Sequence, residues 1–426
     1  MSKRTAFIFV ALILGLGWAI RGHFGHEHGA AWAGAMASMA VVVAAGRKDW
    51  SARLPVLAVL GGIGWGVGGM MSYGIIVGYG RGTDFANVYY GLAMLGVVGA
   101  LYGFIGGGLL GLGLESTENN RPRWASLFTE MIAGGLLFWY VIIAQFEWKM
   151  TPPRSELWAA CLGASVALAW FAHRYRFTRA LRLAGYSALG GGFGFAFGNF
   201  LQVMGNVTGL SFNWWNVMEF SLGFFGGLGM AYGVFTRDWP ESIKPSKTVN
   251  WSAVIFLLFV LPAVNIIQSF EIDEFKQMAE RLGMTDLTAF AHTQMWLGWL
   301  LVLVFTVIGV ITWKQIGDNR AGKQNLVAIF LFEYSAFYIL LGHIKKAFFY
   351  GQGLQLEQYL YWVVFIATFA MWYSNRSHEQ TPFVPGEPET WQHWAKLIGT
   401  FLVILAVCTF IAIHSHGALP GSHERF

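Results

Sequence analysis

Apolar residues run in long unbroken blocks along this chain, with neither strict alternation nor one apolar face per helical turn. A window of about 20 residues, the length an α-helix needs to cross ~30 Å of hydrocarbon, finds thirteen blocks. They lie at 6–20, 29–45, 55–79, 91–113, 125–146, 157–172, 183–206, 215–235, 250–269, 295–313, 326–342, 359–375 and 396–413. Lipid offers the backbone no hydrogen-bond partner, so only helices and closed barrels span it, and continuous runs select helices. The pattern predicts an all-α, polytopic integral membrane protein of about 13 transmembrane helices.

Composition agrees. Of 426 residues, 55% are hydrophobic and only 12% charged, with 36 Phe, 20 Trp and 54 Gly, which excludes a soluble domain of this length. Cys161 and Cys408 both fall inside apolar runs and read as small packing residues more than as a disulfide pair.

Charge orients the chain. With the N-terminus inside, nineteen of the 28 Lys and Arg residues fall in inner connections and nine in outer ones. The positive-inside rule therefore predicts a cytoplasmic N-terminus and an outside C-terminus, in a cytoplasmic (inner) membrane of bacterial type. The net charge of +5 is then an orientation signal and implies no nucleic-acid partner. The first run, after Lys3-Arg4, is short enough to resemble a signal peptide. It is followed by Gly17-Trp18-Ala19-Ile20-Arg21, not by a small-residue cleavage site, and reads as retained.

Two connections differ from simple turns. Residues 271–294 carry Glu271, Asp273, Glu274, Lys276, Glu280, Arg281 and Asp286 among helically spaced apolar residues, the pattern of an outer amphipathic helix that is either a lid or a connector. Residues 376–394, with Pro382, Pro385 and Pro388, form an inner linker ahead of the last run.

A repeat runs through the chain. Gly61-Gly-Ile-Gly-Trp-Gly-Val-Gly-Gly69 matches Gly191-Gly-Phe-Gly-Phe-Ala-Phe-Gly-Asn199, and Gly15-Leu-Gly-Trp-Ala-Ile-Arg-Gly22 is a third copy. All three start from the inner side. Pairing run 1 with run 7 also pairs the connections after runs 2 and 8, Gly46-Arg-Lys-Asp-Trp50 with Phe235-Thr-Arg-Asp-Trp239. That offset of six runs predicts two fused six-helix halves, 1–182 and 183–375, with the linker, an extra helix and an outer tail in 376–426. In this plan, and in the basic Gly-Arg-Lys connection after run 2 echoed after run 8, the chain resembles the major facilitator superfamily. The resemblance implies that runs 1, 4, 7 and 10 line a central cavity.

Most glycines need no functional reading. Gly99, Gly103, Gly107 and Gly111 recur every four residues, as do Gly223 and Gly227, which makes smooth ridges for close helix contact. The Gly-x-Gly-x-x-Gly segments lack the strand a dinucleotide site needs, and no cofactor is implied.

Candidate chemistry concentrates between runs 1 and 2, where Arg21, His23, His26, Glu27 and His28 follow one another. Ionisable groups at bilayer depth cost roughly 2.5–3.5 kcal/mol each and usually face a protein interior or a water-filled cavity. Three readings compete. The His residues offer metal ligands, but the i, i+4 pairing of a zinc helix is absent, so no metal is expected. Arg21 is alternatively a structural partner of Glu27. The favoured reading is solute recognition, with Arg21 as a fork for a carboxylate or phosphate and the imidazoles as donors or proton acceptors. Asn199, Gln202 and Asn206 share one face of run 7 and extend the candidate solute site. Glu219, Glu333 and His343 are candidates for proton coupling, since a buried carboxyl can hold a proton at physiological pH.

These readings converge on a secondary transporter, more than an enzyme, for a small polar or anionic solute such as a sugar derivative or organic acid, with proton coupling. The alternatives are a membrane-embedded transferase using the 21–28 cluster, with a His as general base, and a non-catalytic membrane subunit. Oligomeric state is not legible.

Overall fold

The computed structural model describes residues 1–317, 323–346, 356–376, 389–417 and 419–426. It is 79% helical, with no strand among the described residues. Helix occupies every apolar run. Nine of the described helices are long and apolar enough to cross a membrane, as expected of an integral membrane protein.

Helices α1 (Lys3–Arg21), α2 (Glu27–Ala45) and the short α3 (Lys48–Ser51) open the chain. The run at 55–79 is two helices, α4 (Leu54–Gly68) and α5 (Gly74–Tyr79), then α6 (Phe85–Glu115). At the break the chain lies directly against the α1–α2 turn, with no room for a side chain: a Cβ on Gly69 would sit 2.5 Å from the His26 carbonyl. Next come α7 (Trp124–Trp139), α8 (Trp158–Arg174), α9 (Thr178–Val207) and α10 (Trp214–Phe235). Then follow α11 (Lys247–Ile255), α12 (Leu261–Ser269), α13 (Ile272–Arg281), α14 (Leu287–Gly317), α15 (Lys323–Lys345), α16 (Leu356–Asn375) and α17 (Trp391–Ser415).

Six helices close a ring: α1 packs on α2, α2 on α4, α4 on α6, α6 on α9, α9 on α10, and α10 back on α1. The ring is made of three hairpins, α1–α2, α4–α6 and α9–α10, with the α7–α8 pair between the second and third in the chain, and the first helix of each hairpin carries one copy of the Gly-rich repeat. Four of its helices lie within residues 1–182, α9 itself spans residue 182, and α10 lies beyond it. Glycine sets the spacing. A Cβ on Gly103 would overlap the Ser187 carbonyl of α9, one on Gly223 would sit 2.5 Å from the Leu14 carbonyl, and one on Gly227 would sit 2.7 Å from Ala11 Cα. Without a hydrophobic drive between helices in lipid, such close backbone contact is what holds them together.

At the Arg47 end of the ring the two aligned connections meet. Arg47 pairs with Asp49 at 2.7 Å and donates to the carbonyls of Trp239 (2.8 Å) and Pro240 (2.7 Å), while Trp50 lies edge-on to Trp239 at 5.9 Å. Burial pushes the Asp49 carboxyl up, but hydrogen bonds from Arg47 and the Ser242 N–H outweigh it and hold Asp49 below its ordinary value.

Other helices pack around the ring. A π-helical turn, Phe256–Val260, precedes Pro262 between α11 and α12. Proline lacks the N–H that would serve the carbonyl four residues back, and the Thr306 hydroxyl of α14 donates to that carbonyl, Leu258 O, at 2.8 Å. Such outside partners are how a membrane helix tolerates proline. Residues 287–294 belong to α14, so the amphipathic surface helix is the shorter α13. Its Phe275 and Ala279 are buried against the protein, and its Glu274 pairs with Lys345 of α15. Most of the predicted linker at 376–394 lies outside the described residues.

Candidate functional site

Opposite the Arg47 end, where α1 finishes, the ring opens into a cavity of about 710 Å³. Five separate stretches wall it: the α1–α2 turn (Arg21, Gly22, Gly25, His26, Glu27), residues 69–75, Arg154 with Ser155, Trp215 with Glu219 of α10, and His423.

Arg21 is the floor. It is the last residue of α1 and only 1% exposed. Its Nη2 forms an ion pair with Glu219 Oε1 at 2.5 Å and donates to the Tyr73 hydroxyl, while its Nη1 donates to His26 Nδ1 at 3.2 Å. The guanidinium also lies 4.7 Å above the Trp18 ring. Arg21 Nε has no hydrogen-bond partner among the described residues. Space at Gly22 is tight as well, since a Cβ there would meet the Glu219 carboxylate at 3.0 Å.

Below the floor, Trp18 packs edge-on to Tyr102 (4.9 Å) and Trp65 (5.7 Å). Trp18 Nε1, Trp65 Nε1 and Tyr102 Oη are buried with no hydrogen-bond partner among the described residues. Four orphaned polar atoms therefore run inward from Arg21 Nε, against the general rule that buried polar groups are satisfied.

At the rim, His26 is exposed and its Nδ1 faces Arg21. Burial of its inner edge, with the nearby Arg21 charge, pushes His26 down to about 4. It is thus neutral near pH 7, with Nδ1 accepting from Arg21 and the proton on Nε2.

The predicted residues divide. Arg21, His26, Glu27 and Glu219 line the cavity together. Arg21 pairs with Glu219, 198 residues away, and not with Glu27. His23 points elsewhere, toward α16, with Nε2 3.3 Å from the Tyr361 hydroxyl; burial and then the charge of Lys346 push it down to about 3. His28 is half-buried and outside the cavity wall.

Asn199 and Gln202 are both fully buried on α9 and do not line the cavity. They reach it only indirectly. With its carbonyl turned to satisfy both neighbours, Gln202 accepts from Arg81 Nη2 at 3.2 Å and from Trp215 Nε1 at 3.3 Å, and its nitrogen lies 3.1 Å from the Asn199 amide. Asn206 is exposed at the end of α9. Glu333 accepts from the Thr312 hydroxyl of α14 at 2.9 Å, and His343 Nε2 accepts from Trp362 Nε1 at 2.8 Å; neither borders the cavity. No group of three or more metal-ligating side chains with metal-site geometry occurs among the described residues.

Tyr73, Arg154, Trp215 and His423 are among the wall residues that sequence reasoning missed, with Met70, Ser72 and Ser155 beside them. The repeat held the signal for the first: Arg21-Gly22 and Gly68-Gly69 occupy the same register, so the turn after Gly69 belongs where the turn after Gly22 is. Compared with known proteins, the chain matches no family model, no curated protein and no solved structure.

Proposed function

We propose that this protein is a secondary transporter that binds a small polar or anionic solute in the cavity above Arg21 and carries it across a bacterial-type cytoplasmic membrane. In this reading thirteen helices cross the bilayer and the N-terminus is cytoplasmic. The cavity then opens outward, since it lies at the ring end reached by α1 from the inside.

The observation that carries the reading is the Arg21–Glu219 pair, buried at the floor of a polar cavity at the end of a ring of membrane helices. As an ion pair the floor is neutral and the Arg21 fork is occupied. A proton on Glu219 would discharge the carboxylate and leave the guanidinium free for the carboxylate or phosphate of a solute, bidentate recognition to which arginine is suited. Anion and proton then enter together and the site stays neutral, which is the charge logic of proton symport. The orphaned donors of Trp18, Trp65 and Tyr102 beneath the floor supply a polar seam along which a solute or proton can continue inward.

One observation favours the transferase alternative. His26 is a neutral imidazole at the rim of a cavity that also holds Ser72 and Tyr73, and it would accept a substrate proton as general base once its Nδ1 is released from Arg21. The two readings part in proteoliposomes. The transporter accumulates a labelled organic acid or sugar phosphate unchanged, and only with a pH gradient. A chemically altered product, formed equally well in detergent, would establish the transferase.

A further inference from the structure

One residue of the cavity wall, His423, belongs to residues 419–426, a segment held against the rim as a strap. Its backbone is tied at three points. The His423 N–H donates to Gly78 O at 3.0 Å. The Asn87 amide takes both sides of the strap, donating to His423 O at 3.0 Å and accepting from Arg425 N at 2.6 Å. Arg81 Nη1 donates to Pro420 O at 3.2 Å.

The side chains add anchors: Arg425 Nη2 donates to Lys149 O at 2.7 Å, and Phe426 lies edge-on to Tyr90 at 5.4 Å. The seat is shaped for the strap, because a Cβ on Gly78 would overlap the His423 ring. Asn87 is 2% exposed, and Asp84 caps the start of α6 by accepting from its N–H at 2.9 Å, so the anchor is rigid. Lys149 precedes Arg154 and Ser155, which also line the cavity, so the strap is tied to a second stretch that contributes to the wall.

We infer that the 419–426 strap is a built part of the site: it presents His423 to the solute and sets the largest molecule that can enter. The inference rests on the cavity being the binding site, but the experiment below needs no solute and no transport. Loss of transport activity therefore leaves it standing, and its failure leaves the transporter reading standing.

The test is thiol labelling of Ser72→Cys, a half-buried cavity residue, in a Cys161→Ala, Cys408→Ala background. Two reagents are compared, a small methanethiosulfonate and a bulky fluorescein maleimide. Deleting 419–426, or changing Gly78→Val to unseat the strap, should speed the bulky reagent about tenfold, equivalent to roughly 1.4 kcal/mol of lost closure. The small reagent should change little. Arg425→Ala alters only the strap's own anchor and should give an intermediate gain, so the question stays decidable if the larger changes misfold. Equal bulky-reagent rates in the parent and in Arg425→Ala, or a rise shared equally by both reagents, would overturn the inference.

Discussion

At the residue scale the molecule turns on a charge pair in a place where charge is expensive. Arg21 is 1% exposed, and its carboxylate partner comes from a helix 198 residues later. Removing one member of such a pair leaves the other buried and unpaired, a cost of roughly 3–5 kcal/mol, whereas replacing both by apolar groups of similar size is often neutral. Glu219→Gln should therefore lower the melting temperature in detergent markedly, and Arg21→Met with Glu219→Leu should recover most of the loss. Equal destabilisation by the single and double changes would show that the pair is not coupled.

The two histidines of the α1–α2 turn make a second residue-scale prediction. Both are held neutral in the fold, His23 at about 3 and His26 at about 4, against 6.5 when unfolded. Below 6.5 the unfolded chain binds protons that the native turn refuses, so stability falls with pH from 6.5 toward 4 and is fully present only above 6.5. Thermal melts across that interval should show the decline, with His23→Asn and His26→Asn each flattening it. An unchanged slope in both variants contradicts the assignment.

At the element scale, much was legible. All thirteen apolar runs are helical because run length reports directly on helix in lipid, and the Gly ridges are contact surfaces as their four-residue spacing implied. Partner choice was not legible: a glycine stripe says that a backbone approaches, not whose. The offset linking Gly46–Trp50 to 235–239 marked a true neighbourhood, since Arg47 bonds Trp239 and Pro240. Yet the three parallel copies of the repeat correspond to three hairpins of one ring.

The candidate site was half legible for the same reason. Arg21, His26 and Glu27 are local in sequence, whereas Tyr73, Trp215 and Glu219 join them only when the ring closes, and His423 only through the 419–426 strap. Gly103→Val tests the ridge, as a side chain there overlaps the Ser187 carbonyl. Overpacking of about 1–3 kcal/mol or more is expected, read as a lower melting temperature. Gly399→Val on α17, where a Cβ meets nothing within 4 Å, should be tolerated.

At the scale of the whole molecule, a glycine-welded ring carries a polar cavity at one end, a buried ion pair beneath it, and peripheral helices that hold Glu333 and His343 away from it. If solute passes through that cavity, filling it must stop uptake while changes elsewhere spare it. The direct measurement is gradient-driven uptake into proteoliposomes by Met70→Trp, which places a large side chain at the exposed cavity wall, beside Asn206→Ala, which alters an exposed residue outside the cavity. The account predicts that Met70→Trp abolishes uptake with an unchanged melting temperature and that Asn206→Ala transports normally. Full uptake by Met70→Trp would place the solute route elsewhere and contradict it.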